Sequence, residues 1–105
     1  MSKYLFIESR DPFESADTSQ TYELANALSQ EGNEVTIFFV QNGVFAARKG
    51  IKALEKIGKA SVLADDYSLN ERGIASKEVS SNVHVSSIDK LVDLLAEKGT
   101  KAIWH

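Results

Sequence analysis

Two adjacent carboxylates, Asp65 and Asp66, form the sharpest candidate for chemistry in the sequence. They directly follow a short apolar run, so a strand that ends there would present them at its carboxyl end. A pair of carboxylates can hold Mg²⁺ through hard oxygen ligands, or can raise the pKa of one member so that it donates a proton. Capping of a following helix is the simpler interpretation, because Asp accepts the free N–H groups of a first turn.

Two arginines and an Asn-Gly pair are further candidates for ligand binding. Arg72 comes about one helical turn after the carboxylates and can pair with them or with an anion, but a cation before Gly73 is also typical of a helix C-terminus. Arg10 can bind an anion at the crevice or pair with Asp11 or Glu14 on the surface. Asn42 and Gly43 can form a backbone turn that binds a ligand, although a plain turn with positive φ at Gly43 explains them as well.

The composition excludes several kinds of site. The chain has no cysteine, which excludes disulfides, thiolate metal sites, iron–sulfur clusters and a thiol nucleophile. His84 and His105 lack metal-ligand spacing to any partner, and neither glycine-rich phosphate-binding motif occurs. We therefore predict no catalytic residue, no metal and no cofactor. Twelve basic and fifteen acidic side chains give a net charge of −3, which argues against a nucleic-acid partner.

Short apolar runs alternate with helical patterns, which predicts the elements that position these residues. Strands are expected at residues 4–7, 35–40, 61–64, 83–85 and 100–104. The first two are apolar at consecutive positions, which is typical of a parallel sheet covered on both faces. We predict one α/β domain over residues 1–105, with three layers and a mostly parallel five-stranded sheet of flavodoxin-like type. If the first strand is central, the loops after strands one and three flank the ligand crevice.

The helical patterns carry recognisable ends. Asp17 and Gln20 resemble a capping box before a first helix, and Gly32 stands where a left-handed C-cap is needed. The clearest helix comes near the end of the chain, where four apolar residues follow a helical spacing and form one stripe. They are Ile88, Leu91, Val92 and Leu95.

The fifth strand has no closing helix after it, and this predicts an interface. Ala102, Ile103 and Trp104 are apolar, and an uncovered apolar edge is a liability unless a partner subunit covers it. We therefore expect a homo-oligomer. No export segment and no membrane-spanning stretch is recognisable, so the expected protein is soluble and cytoplasmic, with no membrane partner.

Over nearly its whole length the sequence resembles the DsrE/DsrF/TusD-like sulfur-relay family. The matching features are the first strand, the helix at 19–30 and the segment 31–39, followed by Asn42-Gly43-Val44, 64–71 and Arg72-Gly73-Ile74. The resemblance implies a small α/β domain that assembles into trimers or hexamers. It also implies that a cysteine near the position of Asp65 carries persulfide sulfur to a partner protein in the active members.

This sequence departs from the family at that cysteine, and two functions stay open. A carboxylate cannot hold a persulfide, since only sulfur forms the S–S bond. The first function is a non-catalytic oligomeric subunit or interaction protein, with sulfur-relay proteins as possible partners. The alternative is a module that binds a small molecule or a divalent metal in an acidic crevice at Asp65 and Asp66. A phosphoacceptor receiver domain also has an aspartate after strand three, but it needs a lysine after strand five and a final helix.

Overall fold

The computed structural model describes residues 1–105 and contains five parallel strands in one sheet. The strands are β1 (Lys3–Glu8), β2 (Glu34–Phe39), β3 (Ser61–Asp65), β4 (Val83–Ser86) and β5 (Thr100–Trp104). The α-helices are α1 (Thr18–Gln30), α2 (Asp66–Glu71) and α3 (Ile88–Ala96), and three 3-10 helices span Gln41–Ala47, Lys52–Ile57 and Ser76–Glu78. The predicted α/β fold with a five-stranded sheet is confirmed, and every strand pair is parallel.

The order of the strands is β4-β3-β2-β1-β5. The premise that the first strand is central is wrong, because β2 holds the centre and separates β1 from β3. Both strands have consecutive apolar residues, and that pattern shows burial on two faces without telling which strand is the middle one. β5 lies at the edge, beside β1.

The direction of each crossover decides which face of the sheet its helix covers. The chain moves in one direction from β1 to β4 and then returns across the whole sheet to β5, so right-handed crossovers put α3 on the face opposite α1. On the α1 face, Phe6, Ile37 and Phe39 pack with α1 and the first two 3-10 helices in the larger core. On the α3 face, a smaller core contains Leu5, Ile7, Phe38, Val40 and Leu91.

The first helix ends as predicted but begins differently. Gly32 has a φ of +92°, a left-handed conformation that glycine adopts without steric cost, and it follows the end of α1. Asp17 occupies the N-cap position, yet its side chain caps no backbone N–H, so the predicted capping box is wrong. The carboxylate is drawn instead to Ser15 and His105.

The last helix leaves much of its apolar stripe in solvent. Leu91 is buried against the sheet, whereas Ile88, Val92 and Leu95 are exposed. Helical spacing predicts a stripe but does not show what covers it, and only one side of this stripe faces the sheet. None of the helices is both long enough and apolar enough to cross a membrane.

Candidate functional site

A cavity of about 340 Å³ opens at the carboxyl ends of the strands, on the α3 face. This is the edge at which open α/β sheets bind ligands. A larger cleft of about 530 Å³ lies at the amino-terminal ends of β3 and β4, away from that edge. The smaller cavity is lined by residues from four strand ends, α2 and α3: Ile7, Val40, Gln41, Asp65, Tyr67, Ser68, Glu71, Arg72, Ile88, Leu91 and Trp104.

Asp65 joins β3 to α2 and is the one buried carboxylate of the cavity, with 3% of its surface exposed. Its Oδ2 accepts hydrogen bonds from the Ser68 backbone N–H at 3.0 Å and from the Ser68 hydroxyl at 2.7 Å. Asp65 therefore caps α2, in agreement with the simpler interpretation of its sequence position. Its second oxygen, Oδ1, is buried without a hydrogen-bond partner.

The segment that follows β2 is hydrogen-bonded to the same Ser68 hydroxyl. The backbone N–H of Gln41 donates to Ser68 Oγ at 2.9 Å. Gln41 has a φ of +50°, the only positive φ at a non-glycine residue in the chain. A left-handed non-glycine residue is uncommon and is found most often at functional or tightly constrained positions. The strands β2 and β3 are thus connected through Ser68 at the wall of the cavity.

Arg72 and Asn42 meet at the rim of the cavity. The Arg72 guanidinium donates through Nε to Asn42 Oδ1 at 3.0 Å and through Nη1 to the Ser68 carbonyl at 3.2 Å. It makes no ion pair with Asp65 or Asp66. The structure therefore brings three predicted site residues together, namely Asn42, Asp65 and Arg72.

The other three predicted residues lie elsewhere. Asp66 is exposed, and its Oδ1 accepts from the neighbouring Tyr67 N–H at 2.7 Å. Arg10 is exposed and pairs with Asp17 at 3.5 Å, beside α1, and not with Asp11 or Glu14. Gly43 is buried beneath the Glu8 carbonyl, where a Cβ would overlap the carbonyl oxygen. The expected positive φ at Gly43 is wrong, because close approach of two backbones requires this glycine.

A second polar cluster, centred on His105, lies on the α1 face where β1 meets β5. His105 Nδ1 is 2.7 Å from Glu8 Oε1, and its Nε2 is 3.1 Å from Asp17 Oδ2. Glu8 is fully buried and its other carboxylate oxygen also accepts from the Arg10 N–H at 3.2 Å. Sequence spacing indicates no metal-ligand partner for His105. Parallel pairing of β1 with β5 nevertheless places His105 beside Glu8, at the end of β1. The available signal was Glu8 itself, a charge at the end of an apolar strand.

The environment of this cluster shifts the pKa of all three side chains. Burial raises the pKa of Glu8 above its usual value, although the bond with His105 opposes the change. The Ser15 hydroxyl and the His105 ring lower the pKa of Asp17 to about 2. Burial of the ring opposes protonation of His105, but its hydrogen bonds to Glu8 and Asp17 outweigh this and raise the pKa of His105. The pKa of His105 is therefore raised because each of its ring nitrogens faces a carboxylate.

These shifts predict that the protein loses stability as the pH rises above about 6.5, the usual pKa of His. A raised pKa of His105 stabilises the fold below that value, and the contribution is lost as the pH passes through the folded-state pKa. Glu8 also lowers the stability of the fold as the pH rises. Its pKa is raised by burial, so the folded state disfavours the ionised carboxylate above pH 4.5. Asp17 acts at the acid end, where its stabilisation is lost as the pH falls below 3.8 toward 2. We expect thermal unfolding midpoints, measured by circular dichroism, to fall from about pH 6 to about pH 9.

The two histidines provide a matched comparison for that prediction. In His105→Gln the decline should begin at lower pH, because the buried Glu8 loses the hydrogen bond that opposes its raised pKa. In His84→Gln the decline should stay where it is, since His84 is exposed on β4. An unchanged decline in His105→Gln would contradict the assignment.

The predicted interface residues lie on the edge strand. Ala102 and Trp104 are exposed, with 67% of the Trp104 surface open to solvent, whereas Ile103 packs against the core of the α1 face. Trp104 shares the cavity wall with Ile88, the first residue of the exposed α3 stripe. We refer to Ile88, Val92, Leu95 and Trp104 together as the apolar surface.

No group of three or more His, Asp or Glu side chains is arranged to hold a metal ion. Asp65 and Asp66 are adjacent in sequence, but one is buried in the cavity and the other is exposed and bonded to its own neighbour. The residues at the cavity supply one buried carboxylate, one exposed carboxylate, one guanidinium, a hydroxyl and two exposed aromatic rings.

Comparison with known proteins gives a family and a fold. The model of the DsrE/DsrF-like family matches residues 2–104. A search of curated proteins found no match. Among solved structures, the ychN protein from E. coli superimposes with a TM-score of 0.87 at 18% identity, and a protein of unknown function from Methanobacterium thermoautotrophicum, MTH1491, with 0.76 at 15%. Both matches cover 100% of each chain, and at these identities they show the fold alone.

Proposed function

Because the chain belongs to the DsrE/DsrF-like family and contains no cysteine, we propose that it is a non-catalytic subunit that assembles with copies of itself. Members of this family typically function in sulfur-relay complexes. Persulfide transfer needs a sulfur atom that attacks and carries the S–S bond, and this chain has no thiol to do so. The proposed role is therefore structural or interactive and related to intracellular sulfur relay in the cytoplasm.

The apolar surface is the observation that carries this proposal. Val92 and Leu95 continue the line of Ile88 along α3, and Trp104 lies beside them on β5, the edge strand whose outer side pairs with no other strand. Exposed apolar side chains that group in this way are typical of protein interfaces, and Trp is enriched among the residues that contribute most to binding. We propose that a second copy of the chain covers the apolar surface. Repetition of this contact would assemble the protein as a trimer or hexamer.

Co-expression tests whether the subunit also joins a relay complex. The chain would be expressed with a cysteine-bearing DsrE-family protein from the same genome, and the purified assemblies weighed by native mass spectrometry. Mixed assemblies would support a role as a partner of an active subunit. Assemblies of this chain alone would contradict that role and leave self-assembly as its function.

The cavity favours a second candidate, the binding of a small molecule. A cavity at the carboxyl ends of parallel strands with few polar groups among apolar walls is the usual form of a ligand site. The buried Oδ1 of Asp65, which has no partner within the chain, is the specific observation in favour. The divalent-metal form of this candidate has less support, since no third ligating side chain joins Asp65 and Asp66.

A further inference from the structure

We propose that the cavity beside Asp65 binds a small organic cation, in which an ammonium group is attached to an apolar body. This inference rests on the second candidate function above and specifies its ligand. Three features of the cavity support it: a buried oxygen that lacks a donor, the balance of charge around it, and the apolar and aromatic character of its walls.

The first feature is the asymmetric bonding of the Asp65 carboxylate. Oδ2 accepts both donors that the chain supplies, the N–H and the hydroxyl of Ser68, while Oδ1 accepts none. A buried acceptor without a donor is costly, and the cost is greatest when the group is charged. A ligand that brings an N–H donor to Oδ1 removes this cost. A positively charged donor makes the stronger bond, because charge-assisted hydrogen bonds are shorter and tighter than neutral ones.

The second feature is the charge at the walls, which disfavours an anion. Two carboxylates line the cavity, Asp65 and Glu71, against one guanidinium, that of Arg72. The Arg72 side chain is already engaged, through Nε with Asn42 and through Nη1 with the Ser68 carbonyl. A carboxylate or phosphate ligand would therefore meet repulsion from Asp65 and would have to draw Arg72 out of its present bonds. An ammonium group meets neither obstacle.

The third feature is the shape and chemistry of the rest of the cavity. Ile7, Val40 and Leu91 are buried and form apolar walls, so they suit a hydrocarbon body. The exposed rings of Tyr67 and Trp104 line the same space, and aromatic faces attract cations and stack on flat apolar groups. A volume of about 340 Å³ is at the small end of the range for ligand sites, which limits the ligand to a small molecule.

Trp104 makes the experiment direct, because it is the only tryptophan in the chain and lines the cavity. Its fluorescence would be titrated with three probes of similar shape: benzylammonium, benzyl alcohol and benzoate. Protein concentration, pH and ionic strength would be held constant. We expect benzylammonium to give a saturable change, and we expect its affinity to exceed that of the other two by about tenfold or more. This comparison uses the unaltered chain and does not depend on how a variant folds.

Asp65→Asn tests the residue assigned to the ammonium group. The amide oxygen can still accept from Ser68, and the amide nitrogen then places a donor where Oδ1 stood. We expect affinity for benzylammonium to fall by about tenfold or more, since the charge and the acceptor are both lost. Asp66→Asn is the matched control, because it removes the adjacent charge outside the cavity and should leave the affinity unchanged.

The outcomes separate the ligand class from the function on which it rests. Equal affinities for benzylammonium and benzyl alcohol, tighter binding of benzoate, or undiminished binding by Asp65→Asn would each overturn the assignment of an organic cation. Binding of one of the other probes would still support a small-molecule site. Titrations in which none of the three probes changes the fluorescence of Trp104 would overturn both.

Discussion

Replacement of Trp104 by glutamate is expected to dissociate the assembled protein while leaving the subunit folded. Two-thirds of the Trp104 surface is exposed in the isolated chain, so the ring contributes little to the core. In an assembly built on the apolar surface it would be buried, together with Ile88 and the rest of the α3 stripe. Tryptophans in such positions often contribute about 2 kcal/mol or more to binding. Glutamate removes that contribution and buries a charge that has no partner.

The expected result is a dissociation constant about 100-fold higher or more, measured by sedimentation velocity over a dilution series. Circular dichroism should show an unchanged fold, because β5 keeps its backbone pairing with β1 and edge strands tolerate charged side chains. Leu24→Glu is the matched control: it puts the same charge on an exposed apolar position of α1, on the other face of the sheet. If both variants assemble as the original chain does, the apolar surface is not the interface.

The second large effect is expected for Gly43→Ala, which should destabilise the fold by about 3 kcal/mol. The new Cβ would lie 3.0 Å from the Glu8 carbonyl carbon and closer still to the carbonyl oxygen, with Phe39 Cδ1 at 3.3 Å. The opposing atoms belong to the backbone of β1, which cannot move aside as a flexible side chain does. The same carbonyl accepts the Val40 N–H at 3.0 Å, so a shift of either segment also weakens the connection between β1 and the end of β2.

Chemical denaturation of Gly43→Ala and Asn42→Ala would test this effect. Asn42 is exposed at the adjacent position, and its loss removes one bond to Arg72. We expect Asn42→Ala to change the unfolding free energy by no more than about 0.5 kcal/mol. A Gly43→Ala variant as stable as the original would show that the backbone accommodates a Cβ there, and would return Gly43 to consideration as a ligand-binding turn.

The sequence was sufficient for the type of fold and for the existence of each strand, because local patterns determine both. Apolar residues at consecutive positions within β1 and β2 require cover on two faces, and the structure supplies it. The order of strands could not be obtained in this way. The burial pattern of a strand shows how much of it is covered. The order of strands depends on the direction of the crossovers between them, and no local pattern distinguishes a central β1 from a central β2.

The candidate sites show the same limit at the level of side chains. Asp65 as a helix cap follows from its place between a strand and a helix, and the structure agrees. The Glu8–His105 contact joins residues 97 positions apart, so no spacing rule applies to it. The α3 stripe was recognised as apolar, but a periodic pattern does not tell whether the sheet or another subunit covers Val92 and Leu95.

The most direct test of the proposed assembly is the mass of the unaltered protein in solution. The proposed assembly would bury the apolar surface formed by α3 and the edge of β5, in a DsrE/DsrF-like chain that has no thiol. Multi-angle light scattering at micromolar concentration should give three or six times the chain mass of 11.5 kDa. A mass equal to that of one chain, unchanged as the concentration rises, would contradict it.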